Sequence, residues 1–300
     1  MPQLLEHDRA TPGTSGVRRL LSVHAHPDDE SSKGAGTVRR LVDDGGEALL
    51  VTCTGGEAGD ILNEAMKRPE IEADLPAVRR SELEAAADAI GYTQVVMLGY
   101  LDSGMPDTPP NAHPDAFANR ELDEEVGRLV RIIRTFRPQV IITYGDDQKH
   151  YPHPDHLRVH EITLPAYAKA GDAGWRPDLG DPWAPSKLYY SVWSRERIEK
   201  SHAKFLELGL QSPYDERWLD RPWPDGEVTT TIDVAGTYAT RKAALVAHAT
   251  QIDPSSPFWF GLPDDVASEI FPFEQYILAE SRVSTELPEV DLFAGIDDLT

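Results

Sequence analysis

Short β-branched or apolar runs alternate with longer helical patterns over the first half of this 300-residue chain. The segment 122–136 carries apolar residues at the spacing of one buried helix face. Such alternation predicts an α/β fold with a Rossmann-like, mostly parallel sheet and helices on both faces. The predicted strands are 18–25, 47–54, 94–98 and 139–144, and the predicted helices include 76–90, 122–136 and one that begins near residue 156.

The pattern loosens after residue 170, although no change in composition marks a second independent domain. Strands are predicted at 187–192, 228–234 and 274–280, and helices at 194–208 and 235–248. We therefore expect a flexible N-terminal segment over 1–17 and a Rossmann-like core over 18–170. Residues 171–300 are expected to be a C-terminal elaboration of the same domain that contributes to the substrate cleft.

Two short motifs follow predicted strands, and the carboxyl ends of parallel strands meet at one edge of a sheet. The motifs are His26-Pro-Asp-Asp-Glu30 and His153-Pro-Asp-His156. A catalytic zinc usually has three His or carboxylate ligands and one open position. We predict that His26, Asp29 and His156 hold one zinc ion. Asp28 is then free to take a proton from the water that the metal activates.

Other histidines are weaker candidates for a metal ligand. His160 is the main rival because it lies four residues after His156, but the zincin pattern requires Glu after its first histidine and this chain has leucine there. His24 alternates along its strand and is predicted to lie in a hydrogen-bonded core. His113 has no neighbouring carboxylate pair or second histidine, so it is predicted to be a turn residue.

The charge and cysteine content exclude several classes of function. A net charge of −22 and a sequence pI of 4.7 oppose binding to nucleic acid or to anionic membranes, and we interpret the acidity as a solubility feature. Cys53 is the only cysteine and is expected to be a buried thiol. The first seventeen residues lack a signal-peptide core, which favours a cytoplasmic protein. The oligomeric state is left open.

Motifs along the chain resemble the zinc-dependent N-acetylglucosaminyl-phosphatidylinositol deacetylase-like (LmbE-like) family. The resemblance is closest to the branch that acts on S-conjugates of a bacterial thiol cofactor, and it runs in order from about Leu20 to the C-terminus. It implies one Zn²⁺ per chain, with Fe²⁺ possible in the cell. The matching segments are 23–34, Thr54-Gly-Gly-Glu57, Leu101-Asp-Ser-Gly104, Tyr151–His156, Ser186–Tyr190, His248–Pro254 and Leu292–Ile296.

The resemblance also implies roles at the reaction centre. It supports His26, Asp29 and His156 as zinc ligands and Asp28 as the general base. Tyr151 would stabilise the oxyanion, and His153 would stabilise the transition state or protonate the leaving amine. The general acid is left open between His153 and Asp28. Asp155 is expected to orient a histidine from behind.

Substrate-binding residues follow from the same resemblance. Asp102 and Arg79 would hold the inositol end, although Arg80 is an alternative to Arg79, and Glu57 would bind the sugar. Lys33, within Ser31-Ser-Lys-Gly34, distinguishes the branch and is expected to meet the acylcysteine end of a bulky conjugate. The alternative for Lys33 is a surface lysine at the start of a helix.

The implied reaction is hydrolysis of the amide between an N-acetylcysteinyl group and glucosamine in a small-molecule thiol S-conjugate. Its products would be a mercapturic acid and glucosaminyl-inositol, either in detoxification or in a dedicated step of antibiotic biosynthesis. The alternative is the deacetylase that makes the precursor of the thiol. A non-enzymatic sugar-binding relative would lack a ligand or the base, and neither is missing here.

Overall fold

The computed structural model describes residues 10–146, 151–297 and 299. Among these residues seven strands form one sheet in the order β3-β2-β1-β4-β5-β7-β6. β7 runs antiparallel to β5 and β6, and the other neighbouring pairs are parallel, so the predicted mostly parallel sheet is confirmed. The strands are β1 Arg19–His24, β2 Glu47–Thr54, β3 Gln94–Tyr100, β4 Val140–Thr143, β5 Lys187–Val192, β6 Thr230–Asp233 and β7 Phe273–Ser281.

The described helices cover both faces of this sheet. α2, α4 and α9 share one apolar core with the sheet, and α5 and α6 share the other. The helices are α1 Asp29–Ser32, α2 Ala35–Asp43, α3 Pro69–Glu72, α4 Leu75–Ile90, α5 Leu122–Phe136, α6 Pro154–Ala170, α7 Arg195–Glu207, α8 Glu216–Leu219, α9 Tyr238–Ala247, α10 Pro257–Phe260 and α11 Asp264–Ile270.

Side-chain alternation along β1 shows how one strand supplies both cores. Leu21 and Val23 pack toward α5 and α6, whereas Leu20 packs toward α2 and α4. Successive strand residues point to opposite faces, so a strand with helices on both sides is buried on both faces, as all six residues of β1 are. Each such fully buried Leu or Val contributes about 1.5–3 kcal/mol. Burial on both faces is therefore what the central position of β1 produces, and its polar residues are buried with the apolar ones.

The parallel pairing of β1 with β4 brings the two sequence motifs to one edge of the sheet. Leu20 pairs with Val140 and Ser22 with Ile142, so His26 and the segment after β4 both lie beyond the carboxyl ends of their strands. β5 pairs with β4 on the far side from β1 and ends at the same edge. Three loops therefore meet at this edge.

The chain after residue 170 extends the same sheet, because β7 pairs along the whole of β5 and β6 adds to its outer side. At the opposite end of the chain, the backbone N–H groups of Thr11 and Thr14 donate hydrogen bonds to Gln94 and Glu47. The rest of the segment expected to be flexible, residues 1–9, lies outside the described residues. Within the described part of the chain, no helix has the length and hydropathy that a bilayer crossing requires.

Candidate active site

The loop after β1 holds Asp28 in a strained backbone conformation. Its φ is +113°, a left-handed value that costs a residue with a Cβ atom about 1–3 kcal/mol. Neighbouring groups fix this geometry: the Asp28 N–H donates to Glu30 Oε2 at 3.0 Å, and Arg79 Nη2 donates to the Pro27 carbonyl at 2.6 Å. The turn separates the Asp28 side chain from that of Asp29.

Three buried side chains place possible metal-binding atoms together. His26, Asp29 and His156 each offer one ligand atom within 4.8 Å of the others. Asp29 Oδ2 lies 3.6 Å from His26 Nδ1 and 3.5 Å from His156 Nε2. Nε2 of His156 is buried and makes no hydrogen bond to any described residue. Two imidazoles, one carboxylate and an unpartnered ring nitrogen fit a divalent metal such as zinc.

A second cluster overlaps with the first and fits a metal less well. It consists of His26, Asp102, His153 and Asp155, with ligand atoms again within 4.8 Å. Its atoms already have protein partners: Asp102 accepts hydrogen bonds from Ala58 and Gly104 N–H, and His153 Nδ1 accepts from Asp155 N–H. The first cluster is therefore the better candidate metal site.

Asp155 lies directly behind His26. His26 Nε2 is 3.2 Å from Asp155 Oδ2, which also accepts a hydrogen bond from Ser103 N–H at 3.0 Å. This contact turns the other ring nitrogen, Nδ1, toward Asp29. A carboxylate behind a metal-binding imidazole fixes its tautomer and raises its basicity.

Asp28 lies next to the three-residue cluster without joining it. Its side chain is 30 % exposed, and its Oδ2 lies 3.4 Å from Arg79 Nη2. Burial raises the pKa of Asp28, while the positive charge of Arg79 opposes the rise and the negative charge of Asp29 adds to it. A carboxyl group with a raised pKa can accept and return a proton nearer to neutral pH than a free aspartate.

Tyr151 and His153 lie on the other side of the cluster. The Tyr151 ring is 53 % exposed and contacts His156 edge-on, with ring centroids 5.2 Å apart. Burial and the nearby carboxylates raise the pKa of Tyr151 to about 12, so its hydroxyl keeps its proton. Burial and the positive charge of His26 together lower the pKa of His153 to about 4. His153 Nδ1 accepts from Asp155 N–H, so the neutral ring carries its proton on Nε2.

The residues expected to bind sugar and inositol line the same edge. Arg79 is buried and also donates to the Gly56 carbonyl, whereas Arg80 pairs with Glu84 at 3.2 Å outside the site. The structure therefore favours Arg79 of the two arginines. Asp102 Oδ1 lies 3.8 Å from His26 Nε2, and Glu57 Oε1 accepts a hydrogen bond from Asp102 N–H at 2.9 Å.

Lys33, which is expected to meet the acylcysteine end of a substrate, contacts Asp29 and Tyr144 in the structure. Its Nζ donates to Asp29 Oδ1 at 2.7 Å and lies 5.5 Å from the centre of the Tyr144 ring. Lys33 and His156 lower the pKa of Asp29 against the opposing effect of burial. In this structure the ammonium supports a candidate metal ligand, and contact with substrate stays a prediction.

Sequence reasoning assigned no role to a buried pair that holds the loop. His248 Nε2 and Glu30 Oε1 are 2.6 Å apart, and both side chains are inaccessible to solvent. Glu30 Oε1 also accepts from Ser31 Oγ at 2.5 Å. The pair joins the residue after α9 to the first motif, so it fixes the carboxylate that bonds Asp28 N–H. His248 begins one of the segments that resemble the family, His248–Pro254, but 218 positions of sequence separate it from Glu30.

His24, His113 and Cys53 lie where the sequence predicts, and His160 lies outside the candidate metal site. His24 is buried, with Nδ1 3.0 Å from the Tyr144 hydroxyl. His160 Nδ1 lies 3.1 Å from the Tyr144 carbonyl oxygen and belongs to neither cluster. His113 is exposed and accepts a hydrogen bond from Asp115 N–H within a turn. Cys53 is buried.

A parallel α/β sheet with a cluster of buried His and Asp side chains and an adjacent carboxylate at its carboxyl edge is typical of metal-dependent hydrolases. The sequence profile of the GlcNAc-PI de-N-acetylase (PIG-L) family matches residues 21–167. The mycothiol S-conjugate amidase of Streptomyces coelicolor is 46 % identical over 291 residues, which are 93 % of this chain and 98 % of that protein. The chain therefore belongs to the GlcNAc-PI de-N-acetylase family.

A second group of relatives carries a different name. The 1D-myo-inositol 2-acetamido-2-deoxy-α-D-glucopyranoside deacetylase of Geodermatophilus obscurus is 39 % identical over 290 residues, covering 93 % of this chain and 98 % of that protein. These relatives cleave amide C–N bonds that are not peptide bonds, and this chain is a hydrolase of the same kind. The similarity leaves amidase and deacetylase as the two candidate activities.

Solved structures support the fold. The N,N'-diacetylchitobiose deacetylase of Pyrococcus horikoshii superimposes with a TM-score of 0.60 at 17 % identity, covering 88 % of this chain and 84 % of that one. GalB, the 4-carboxy-2-hydroxymuconate hydratase of Pseudomonas putida, gives a TM-score of 0.59 at 18 % identity, covering 90 % and 100 %. A deacetylase and a hydratase share this fold, so the fold alone does not identify the reaction.

Proposed function

We propose that this chain is a zinc-dependent amidase that hydrolyses the cysteinyl-glucosamine amide of mycothiol S-conjugates. The products are a mercapturic acid and glucosaminyl-inositol. The supporting geometry is the buried, unpartnered Nε2 of His156 beside Asp29 and His26, with Asp28 as a separate carboxylate at the rim. The choice of substrate rests on the full-length similarity to the Streptomyces coelicolor amidase.

His26, Asp29 and His156 would hold the metal. A divalent metal there supplies Lewis-acid activation of water and of the amide carbonyl. Asp155 would keep Nδ1 of His26 directed at the metal, and Lys33 would keep the Asp29 carboxylate ionised and oriented. Family deacetylases depend on a metal, and two imidazoles with one carboxylate are a donor set that catalytic zinc commonly takes.

The protein groups divide the proton transfers between them. Asp28 accepts a proton from the attacking water, since its raised pKa lets it hold that proton through the tetrahedral stage. The protonated Tyr151 hydroxyl donates a hydrogen bond to the developing oxyanion. His153 is neutral with its proton on Nε2, so it serves as a hydrogen-bond donor near the leaving nitrogen. Asp28 then returns its proton to that nitrogen as the general acid.

Arg79, Asp102 and Glu57 would bind the cyclitol and sugar hydroxyls. All three lie around the first motif, and the Arg79 guanidinium connects Pro27, Asp28 and Gly56. Hydroxyl groups that leave water need such hydrogen-bonding partners. A small-molecule conjugate made inside the cell is consistent with the cytoplasmic location expected from the sequence.

The alternative function is deacetylation of N-acetylglucosaminyl-inositol, which the similarity to the Geodermatophilus obscurus deacetylase supports. Both reactions break an amide on the glucosamine nitrogen and differ only in the acyl group. A first test incubates the purified enzyme with the bimane conjugate of mycothiol and measures the release of a primary amine. Activity that chelator abolishes and Zn²⁺ restores supports the proposal. An absence of amine release with metal-loaded enzyme contradicts it.

Replacing Lys33 with alanine tests what this side chain does. Because its ammonium lies on Asp29 Oδ1, we expect Lys33→Ala to lower kcat/KM by about tenfold on both the S-conjugate and the acetylated precursor. Lys33→Arg, which keeps the charge, is the matched control and should lose less. A loss confined to the S-conjugate would instead place the lysine against the acylcysteine group.

A further inference from the structure

A cleft lies at the edge of the sheet where β5 ends and the antiparallel β7 begins. It encloses a cavity of about 110 Å³ and opens to solvent. Trp193 directly follows β5, and Glu274 lies at the start of β7, which runs the opposite way. β5 is two strands from β1 in the sheet. Because neighbouring strands lie about 4.8 Å apart, the cleft begins roughly 10 Å from the candidate metal site along this edge.

The inner wall of this cleft is aromatic. Trp193 and Phe258 stack with ring centroids 6.0 Å apart, and Phe258 meets Trp259 edge-on at 4.8 Å. All three side chains are only half-buried, so their rings remain accessible from the cleft. Such a wall suits a flat aromatic group, which gains both apolar burial and ring contacts.

Two arginines from different helices project into the same space. The Arg197 guanidinium lies 4.4 Å from the Trp193 ring centre, and that of Arg241 lies 5.9 Å from the Trp259 ring centre. Neither forms an ion pair with a carboxylate in the described part of the chain, although the negative charge of Glu274 acts on both. Glu274, also in the wall, accepts hydrogen bonds from Gly36 and Thr37 N–H. Two guanidiniums share this cleft with one carboxylate, so the positive charge that remains favours an anionic ligand.

The cleft is connected to the candidate active site through α9. Arg241 lies near the start of this helix, and His248, seven residues later, bonds Glu30 in the first motif. At a rise of 1.5 Å per residue these positions are about 10 Å apart. From the scissile carbonyl, an acylcysteine group carrying an aromatic S-substituent spans about as much as two to three extended residues, roughly 7–10 Å. A substrate bound at the metal site could therefore reach the cleft.

We propose that this cleft is a subsite for the S-substituent of the conjugate and that it prefers a planar aromatic group bearing a carboxylate. The inference rests on the proposed amidase function and adds to it a class of S-substituent. The aromatic wall would stack on the ring, and Arg197 and Arg241 would pair with the carboxylate.

The test compares mycothiol conjugates carrying S-methyl, S-benzyl and S-(4-carboxybenzyl) groups. For the unmodified enzyme kcat/KM should be highest on the carboxybenzyl conjugate. In Arg241→Gln the ratio of carboxybenzyl to methyl kcat/KM should fall by about tenfold, and the ratio of benzyl to methyl should change less. The matched control is Lys242→Gln, since Lys242 neighbours Arg241 but pairs with Asp264. If the ratio of carboxybenzyl to methyl kcat/KM is the same in the unmodified enzyme, Arg241→Gln and Lys242→Gln, the proposal is overturned.

Calorimetric binding of N-acetyl-S-(4-carboxybenzyl)cysteine separates this proposal from the proposed function. The acid should bind the unmodified enzyme and bind Arg241→Gln about tenfold more weakly. If no conjugate is hydrolysed, the amidase function fails while the binding measurement still shows whether the cleft takes an aromatic acid. Equal binding by both proteins, or weakened binding without any change in the hydrolysis ratios, would overturn the subsite.

Discussion

Asp28→Asn is expected to retain its metal and to lose about 10² to 10⁴ in kcat. The carboxylate is 30 % exposed and lies beside Arg79, not within the cluster of His26, Asp29 and His156. An amide has nearly the same shape but cannot take a proton from water, so the change removes the base and preserves the ligands. Asparagine also tolerates the left-handed backbone that this position requires.

Metal content by plasma mass spectrometry and single-turnover hydrolysis would check this expectation together. Asp107→Asn is a matched control, because Asp107 also has a positive φ, at 64°, but is exposed in a loop. It should retain full activity. Loss of metal from Asp28→Asn would mean that the roles of Asp28 and Asp29 are reversed. Full turnover with full metal would remove Asp28 from the chemistry.

Asp29→Ala is expected to abolish metal binding and with it all turnover. The Asp29 carboxylate lies between both imidazoles, and its Oδ2 also accepts a hydrogen bond from His26 N–H at 3.0 Å. Its removal also leaves the Lys33 ammonium without the partner that holds it, and an unpaired, partly buried charge destabilises the loop.

Asp29→Asn distinguishes lost ligation from lost folding, because it keeps the shape and the hydrogen bond to His26. It should fold, as judged by its circular dichroism spectrum, yet bind metal far more weakly than the unmodified enzyme. His160→Ala should keep one metal ion per chain, since His160 lies outside both donor clusters. Full metal occupancy in both Asp29 variants would contradict the assigned ligand set.

Local patterns predicted most of the fold. β2, α5 and β5 occur at the bounds that apolar periodicity indicates, because each segment supplies a continuous buried stretch. β3 runs on to Tyr100, two residues beyond its predicted end. Gly99 with φ +67° allows an irregular pairing with β2 there, and a glycine in sequence gives no sign that the strand continues.

The candidate site was predictable where chemistry follows from adjacent residues, and less so where it depends on packing. The spacing of the two motifs indicated His26, Asp29 and His156, and the parallel sheet explains why they meet. The direction of the Lys33 side chain is set by Asp29 and Tyr144, which the sequence does not place beside it. Likewise, Glu30 and His248 meet only because α9 packs against α1 and α4.

The identity of the amide that is cleaved is the central claim, and competition between two substrates tests it most directly. Equal concentrations of the mycothiol bimane conjugate and N-acetylglucosaminyl-inositol are mixed with zinc-loaded enzyme, and the products are followed by mass spectrometry. We expect the mercapturic acid to form at least about tenfold faster than acetate, a difference of about 1.4 kcal/mol in transition-state binding. Faster release of acetate would identify the chain as the deacetylase and contradict the proposed function.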